Sequence, residues 1–422
     1  MNKPLLAIFI GISVTAAGCR HRSRSAASAP PPTPPAAQGP MVIKPLNTPT
    51  YWAFARKIQA AVKSRNPAAI NACIDFRQTV INAMKGLKLS PRQKRDVLRG
   101  AMGQQTLGKT LSNVVSAGGS YTLLGVRSFN GQPRAVFRIK TATGILNYDE
   151  WVMTRLPNGA VVCPDIYAAA TGEMVSQTMH RSMVLLFAAS KRTFWQRLTG
   201  ADSQFAKHSA GLSAMDHDLA AGHLAAAIRQ YHQLPRALRH DKIAIIIWYS
   251  ACARVYQSTG RRKQQMLKAS AVLNHFYPND PAENLLDIET FLIQHKYQRA
   301  AQYALRVSND VGGDPYQLAM AASIELKAGT AHASAIAQRY ADMGQRMAPP
   351  DLHAYWADVT ISLKNKDYWR VTTVLLAIEK TFHIPLKNLR KAPLYHGYVQ
   401  SPAYQTFLKQ NAAAANAPFH AR

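Results

Sequence analysis

Residues 121–140 read YTLLGVRSFNGQPRAVFRIK, two apolar-rich segments on either side of an Asn-Gly pair at 130–131. Asn-Gly between strand-like segments is the strongest short signal for a two-residue hairpin, because both turn positions need a positive φ. In the second segment Phe137 and Ile139 alternate with Arg138. A strand sends alternate residues to opposite faces, so the stretch predicts a β-hairpin with one apolar and one basic face.

Helical and strand patterns surround this hairpin and extend the domain over residues 49–198. Apolar residues at helical spacing, proline starts and glycine stops predict helices before the hairpin and one helix after the strands. The predicted helices are 51–65, 68–74, 90–115 and 173–190, and the further strands are 145–154 and 161–167. Helices beside an antiparallel meander form an α+β domain. The order of elements resembles the nuclear-transport-factor (NTF2-like) fold, which implies a curved sheet around a pocket.

Residues 199–410 predict an all-α region that is internally repeated. Helix-ending residues lie 38, 35, 34 and 36 positions apart, at Gly222, Gly260, His295, Gly329 and Asn365. Helix pairs with a period near 34 residues resemble tetratricopeptide (TPR-like) repeats. Tyr297 with Ala300 matches the family's motif at the start of the second helix, Leu224 with Ala227 matches in part, and Tyr368 with Val371 departs from it. The resemblance implies a stacked array that binds peptides or helices of other proteins.

The first 18 residues predict export. The run from Leu5 to Ala17 has the length of a signal-peptide core and is shorter than the roughly 20 residues that cross a bilayer. Ala16-Ala17-Gly18-Cys19 resembles the lipobox of bacterial lipoproteins, in which the cysteine is lipidated before cleavage. Arg20, where Asp would retain the protein in the inner membrane, implies the outer membrane. The alternative is an ordinary signal peptide and a soluble periplasmic protein.

Two segments are expected to lie outside the domains. Residues 19–48 contain a proline cluster and predict an extended tether. Residues 411–422 predict a disordered tail.

The charge balance is strongly basic, with 51 Lys+Arg against 22 Asp+Glu and a formal net charge of +29. The charges are scattered and not gathered in one block, and export removes most nucleic acid, so no nucleic-acid partner is expected. Two interpretations stay open. One is a bias of composition for solubility or habitat, and the other is attraction to anionic lipid, lipopolysaccharide or an acidic protein.

Four cysteines are present, and Cys19 is assigned to the lipid. Cys73 and Cys163 form a candidate disulfide, because both fall in the first domain and a periplasm is oxidising. Three buried thiols, with Cys252 as the third, are the alternative. No CxxC arrangement occurs, so zinc and thiol-redox chemistry lack support.

Three patterns could indicate catalysis or ligand binding, and each has a simpler interpretation. Residues 103–110 fit the P-loop pattern GxxxxGK[ST], but a charged helical stretch precedes them where a buried strand is required. The triplet 216–218 (Asp-His-Asp) is typical of a helix cap. Asp149 and Glu150 are adjacent on a strand and would face opposite sides. No catalytic residue, cofactor or metal is therefore expected.

The sequence favours a non-enzymatic scaffold or assembly factor of the cell envelope that binds other proteins through its repeats. The alternative is a small-molecule-binding protein, or a hydrolase or isomerase, that uses the first domain. A pocket within residues 121–170 with converging buried polar groups would favour the alternative, whereas a filled sheet core would argue against it.

Overall fold

The computed structural model describes residues 42–102, 107–142, 144, 146–190, 209–278, 280–386 and 389–415. The chain divides into two compact units, one ending at Leu286 and the other beginning at Asp287. Several expectations lie outside the described residues: the signal peptide at 1–18, the lipidation site at Cys19, the tether up to residue 41, the domain boundary at 198/199 and the tail from residue 416. They stay predictions.

Five helices lie between the first and second strands of the sheet: α1 Pro49–Lys63, α2 Pro67–Asn71, α3 Phe76–Ala83, α4 Pro91–Met102 and α5 Leu107–Ser116. The helices predicted at 51–65 and near 68 are confirmed. The predicted helix at 90–115 corresponds to α4 and α5. Helix α3 was not predicted, although Asp75 is an N-cap whose side chain accepts a hydrogen bond from the Gln78 backbone N–H.

The sheet is an antiparallel meander in the order β1-β2-β3-β4-β5-β6. Its strands are β1 Ile43–Pro45, β2 Ser120–Phe129, β3 Gln132–Lys140, β4 Leu146–Arg155, β5 Val161–Ala168 and β6 Glu173–Met174. Asn130 (φ 49°) and Gly131 (φ 88°) form the predicted turn between β2 and β3. The edge strand β1 pairs with the end of β2, so the last residues of the predicted tether belong to the sheet.

Both faces of the sheet are buried. The face toward α1, here the α1 face, packs Phe137, Ile139 and Trp151 against Phe54 and Ile58. The opposite face carries the predicted basic residues, yet Arg138 is only 6% exposed. In β3 the alternation therefore separates apolar from mostly basic side chains, but it does not separate core from solvent.

The sheet and the first helices of the array belong to the same compact unit. Helix α6, Val175–Ser190, follows β6, and its Arg181 pairs with Glu173. The Lys242 ammonium donates to the Gly172 carbonyl oxygen at 3.2 Å and to the Asp280 carboxylate at 2.7 Å. These contacts fasten the end of the meander to the start of the helical region.

A helical array follows the sheet. The helix pairs are α7 Ser209–Ala221 with α8 Leu224–Gln233, α10 Lys242–Thr259 with α11 Lys263–Phe276, α12 Pro281–Ile293 with α13 Tyr297–Asp310, α14 Pro315–Ala328 with α15 Ala333–Gln345, and α16 Leu352–Lys364 with α17 Tyr368–Phe382; a short helix, α9 Arg236–Arg239, separates the first two pairs. In the second unit α14 packs on α13, α15 and α16, and α16 packs on α17.

The residues predicted to end the first helices of the repeats lie at, or next to, residues with a left-handed backbone conformation. A residue with positive φ follows the first helix of each pair: Gly222, Gly260, His295, Gly329 and Lys366. The fifth differs from the prediction by one position, because Asn365 is right-handed and Lys366 makes the turn. A left-handed residue ends a helix by redirecting the chain, and here it does so after the first helix of every pair.

The second helices share a buried row at positions i, i+4 and i+7. Its members are Ala227, Tyr231 and Leu234; Met266, Ser270 and Leu273; Ala300, Ala304 and Val307; Ala337, Ala341 and Gly344; Val371, Leu375 and Ile378. The spacing of the first members is 39, 34, 37 and 34 residues. A helical repeat is thus present in the packing even where side-chain identity is not kept.

The chain continues after α17 through two 3₁₀ turns, Leu389–Lys391 and Pro393–Tyr395, to α18 His396–Val399 and α19 Pro402–Ala415. The predicted terminal helix is confirmed, and it extends five residues beyond the expected limit at 410. Within the residues that the structure describes, no helix combines the length and the apolar character needed to cross a membrane.

Candidate functional site

The predicted separation of Asp149 and Glu150 is confirmed. Asp149 lies opposite Phe137 on the α1 face, and Glu150 accepts a 2.6 Å hydrogen bond from Arg134 on the other face. Each face of β4 therefore holds one carboxyl group. The two cannot act on one substrate atom.

Asp149 belongs to a buried polar cluster in the centre of the α1 face. The Trp151 indole N–H donates to the Tyr121 hydroxyl at 2.6 Å, and this hydroxyl lies 3.5 Å from the Asp149 carboxylate. The Asn147 amide donates to Asp149 at 3.4 Å and accepts from the Ala170 backbone N–H at 2.8 Å. The polar groups of this face are bonded to one another.

Burial raises the pKa of the Asp149 carboxyl to about 7, although the hydrogen bond from Tyr121 lowers it. The side chain is 6% exposed, and Phe137 stacks on Tyr121 at 4.7 Å between ring centroids. A carboxyl that keeps its proton near neutral pH can serve as an acid. Here the neighbouring side chains on the α1 face, Tyr121, Phe137 and Trp151, are themselves buried.

The structure brings Cys73 and Cys163 together with both thiols free. A single parallel β-bridge pairs the backbone of Ile74 with that of Cys163, and the Cys163 backbone N–H donates to the Cys73 carbonyl oxygen at 3.3 Å. Burial raises the pKa of both thiols. The third cysteine, Cys252, is also buried, and burial raises its pKa to about 12. The arrangement is that of three inert thiols, and the expected pair is adjacent.

The described residues of the P-loop pattern, 107–110, have a structural role in helix packing. Helix α4 precedes it where a nucleotide site needs a strand, and residues 103–106 lie outside the described residues. Gly108 lies within α5, and its backbone N–H donates to Asn71 at 3.0 Å. A Cβ at Gly108 would lie 2.3 Å from the Pro67 carbonyl oxygen. The glycine therefore permits close packing of α5 on α2.

The Asp-His-Asp triplet does not cap a helix, which corrects that expectation. Residues 216–218 lie inside α7, and Asp218 accepts a 2.8 Å hydrogen bond from Gln230 on α8. It also accepts from His223 at 3.2 Å. Burial raises the pKa of Asp216 to about 6. Among the described residues no group of three His, Cys, Asp or Glu side chains is placed to hold a metal ion.

A buried ionic network joins three helices of the second unit. Asp358 of α16 is fully buried and accepts from the guanidinium of Arg370 of α17 at 2.8 Å through both carboxylate oxygens. Gln338 and Gln345 of α15 donate to the same carboxylate. Burial would raise the pKa of Asp358, but the hydrogen bonds from Arg370 and the two amides outweigh it and lower that pKa. Its role is to hold the helices together.

The clearest candidate interface in the array is a row of cations over aromatic rings, here the basic–aromatic row: Phe291, Lys296, Arg299, Tyr303 and Arg306. The rings of Phe291 and Tyr303 lie 5.1 Å apart. Lys296 and Arg299 lie over Phe291 at 6.0 and 5.8 Å, and Arg306 lies over Tyr303 at 4.6 Å. All three cations are exposed.

The sequence held a signal for this row that was not recognised. Arg299, Tyr303 and Arg306 are separated by four and three residues, the spacing that puts side chains on one helical face. Phe291 comes from the preceding helix, so only the packing of α12 against α13 reveals the second ring.

No protein-family model matches the chain, and neither a curated protein nor a solved structure matches it.

Proposed function

We propose that this chain is a bacterial lipoprotein, attached through Cys19 to the periplasmic side of the outer membrane, that binds other envelope proteins without catalysis. The helix pairs are proposed to be TPR-like repeats and the sheet domain to be NTF2-like. The basic–aromatic row is the observation that supports the proposal, because it puts exposed cations and aromatic rings together on α12 and α13.

The row favours an acidic segment of a partner protein. A cation held over a ring face is pre-positioned, so less side-chain entropy is lost when a carboxylate binds. Arginine in particular offers a planar pair of donors that matches a carboxylate. Aromatic and arginine side chains also dominate the binding energy of protein interfaces.

Site-specific photo-crosslinking in intact envelopes tests this function. A photoreactive residue at Gln302, an exposed position of α13, should capture proteins that carry Asp- and Glu-rich segments. The variant K296Q/R299Q/R306Q should lose this capture, and high salt should weaken it in the unaltered chain, because exposed charges are screened.

The matched control is K327Q/R339Q/R346Q, which removes the same charge from exposed positions of the second unit. Capture should persist in this variant. Equal capture by the row variant, or equal loss in the control, would contradict the proposed binding surface.

Lipid attachment is tested separately by Cys19→Ser. The variant should accumulate as unprocessed precursor and take up no labelled fatty acid. Normal processing with lipid incorporation would show that Cys19 is not the attachment site.

A further inference from the structure

We propose that the outer face of α4 lies against anionic phospholipid of the membrane that holds the chain, an inference that rests on the proposed lipid at Cys19. Six exposed cations occur within residues 85–99: Lys85, Lys88, Arg92, Lys94, Arg95 and Arg99. Asp96 is the one carboxylate in this segment.

The geometry of α4 aligns the arginines. Arg92, Arg95 and Arg99 are three and four residues apart, so they share one face of the helix. Met102, 43% exposed, continues the same face by a further three residues. This line of four side chains is here the α4 stripe.

The other side of α4 keeps the stripe pointing outward. Val97, Leu98 and Ala101 pack against the cluster that contains Val80 and Met179. The helix is therefore held by its apolar side, and its cationic side cannot turn inward without exposing that cluster.

The charges of the stripe are available to an external partner. None of Arg92, Arg95 and Arg99 forms an ion pair with a residue that the structure describes. Clusters of four to eight Lys or Arg beside a membrane attachment bind anionic headgroups, with each charge worth about fivefold in partitioning.

The composition of α4 favours a lipid surface over a protein. The helix reads PRQKRDVLRGAM and contains no aromatic side chain of the kind that dominates protein interfaces. Met102 offers an apolar side chain to the headgroup region. The 23 residues from Cys19 to Val42 span at most about 80 Å when fully extended, so the domain stays near the bilayer.

The test uses the complete lipidated chain in vesicles. A fluorophore is attached at Gly100→Cys, where an added Cβ meets no atom within 4 Å, and quenching by spin-labelled headgroups is measured. Strong quenching is expected with phosphatidylglycerol present, and little with phosphatidylcholine alone or in high salt. R92Q/R95Q/R99Q should lower the equilibrium constant for membrane contact about 100-fold, from three charges at about fivefold each.

The control R229Q/R236Q/R261Q removes three exposed arginines elsewhere in the same unit and should leave quenching unchanged. Unchanged quenching in the stripe variant, or equal loss in the control, would overturn the proposal. Quenching with lipopolysaccharide alone, or displacement by poly-glutamate at low concentration, would overturn it in favour of those partners. A chain that fails to float even with phosphatidylcholine vesicles would instead refute the lipid anchor.

Discussion

The Trp151 indole N–H donates to the Tyr121 hydroxyl at 2.6 Å, and this pair borders the buried carboxyl of Asp149. Arg134, on the neighbouring strand β3, bonds to Glu150 on the opposite face of the sheet. Among the described residues, Asp149 therefore bonds to hydroxyl and amide groups and to no cation, which is why burial dominates its pKa.

We expect the Asp149 carboxyl to make the first unit less stable as the pH rises. The folded state keeps this proton to about pH 7, whereas the unfolded chain loses it near pH 3.9. Between these values the folded state binds more protons, so the free energy of unfolding falls by up to about 1.4 kcal/mol per pH unit. Asp149→Asn should remove this slope and stabilise the unit above neutral pH, measured by urea unfolding with hydrogen exchange of β4.

Asp96→Asn is the control for that measurement, because Asp96 is exposed on α4. It should leave the pH dependence unchanged. An unaltered slope in Asp149→Asn would show that Asp149 is ionised in the folded state.

Arg370→Met should destabilise the second unit by about 3 kcal/mol, because it leaves the fully buried Asp358 carboxylate without its cation. Urea unfolding followed by hydrogen exchange of α16 measures the loss. Arg339→Met, an exposed position on the neighbouring α15, should change stability by less than about 0.5 kcal/mol. Equal effects of the two substitutions would argue against a stabilising network.

Gly108→Ala should destabilise the first unit by about 1–3 kcal/mol. The new Cβ would lie 2.3 Å from the Pro67 carbonyl oxygen and 2.6 Å from Asn71, so α5 must move away from α2. Gly100→Ala on α4 is the matched control. It meets no atom within 4 Å and should stabilise the helix by up to about 1 kcal/mol. Thermal unfolding of both variants distinguishes packing from helix propensity.

All three thiols, Cys73, Cys163 and Cys252, should react with an alkylating reagent after denaturation and resist it in the folded chain. The structure buries each of them in the free state, and burial disfavours the thiolate that reacts. Mass spectrometry of the exported protein gives the number of alkylated cysteines before and after denaturation. A single modified cysteine would instead show that Cys73 and Cys163 are bridged.

Local signals in the sequence predicted most elements of the sheet domain. The Asn130-Gly131 turn was recognisable because few residue pairs tolerate two positive φ values. Helix α3 was missed because its N-cap, Asp75, follows a short apolar stretch with no clear period. The long helix predicted before the sheet proved to be α4 and α5, whose separate packing no local pattern reveals.

The repeat array shows the limit of motif recognition. Tyr297 with Ala300 was identifiable, whereas the equivalent unit has Ser334 in place of the motif aromatic and still buries Ala337. A close helix contact selects for volume and burial, which Ala, Val and Met can all provide. The spacing of the buried positions is therefore kept in this sequence even where the residue types of the repeat motif are not.

The basic–aromatic row and the α4 stripe differ in how far the sequence alone could predict them. The stripe lies on one helix, so its i, i+3, i+7 spacing was readable from the sequence, although its exposure was not. The row needs Phe291 from one helix and Tyr303 from the next.

The sequence by itself determined where strands turn, where helices stop and that Asp149 and Glu150 face apart, because these depend on backbone geometry over a few residues. Only the tertiary structure decided that Arg138 is buried, that Asp358 meets Arg370 and that Cys73 lies beside Cys163. Those outcomes depend on which distant surfaces exclude water together, and burial sets the energy of a charge or thiol far more than its neighbours in sequence do.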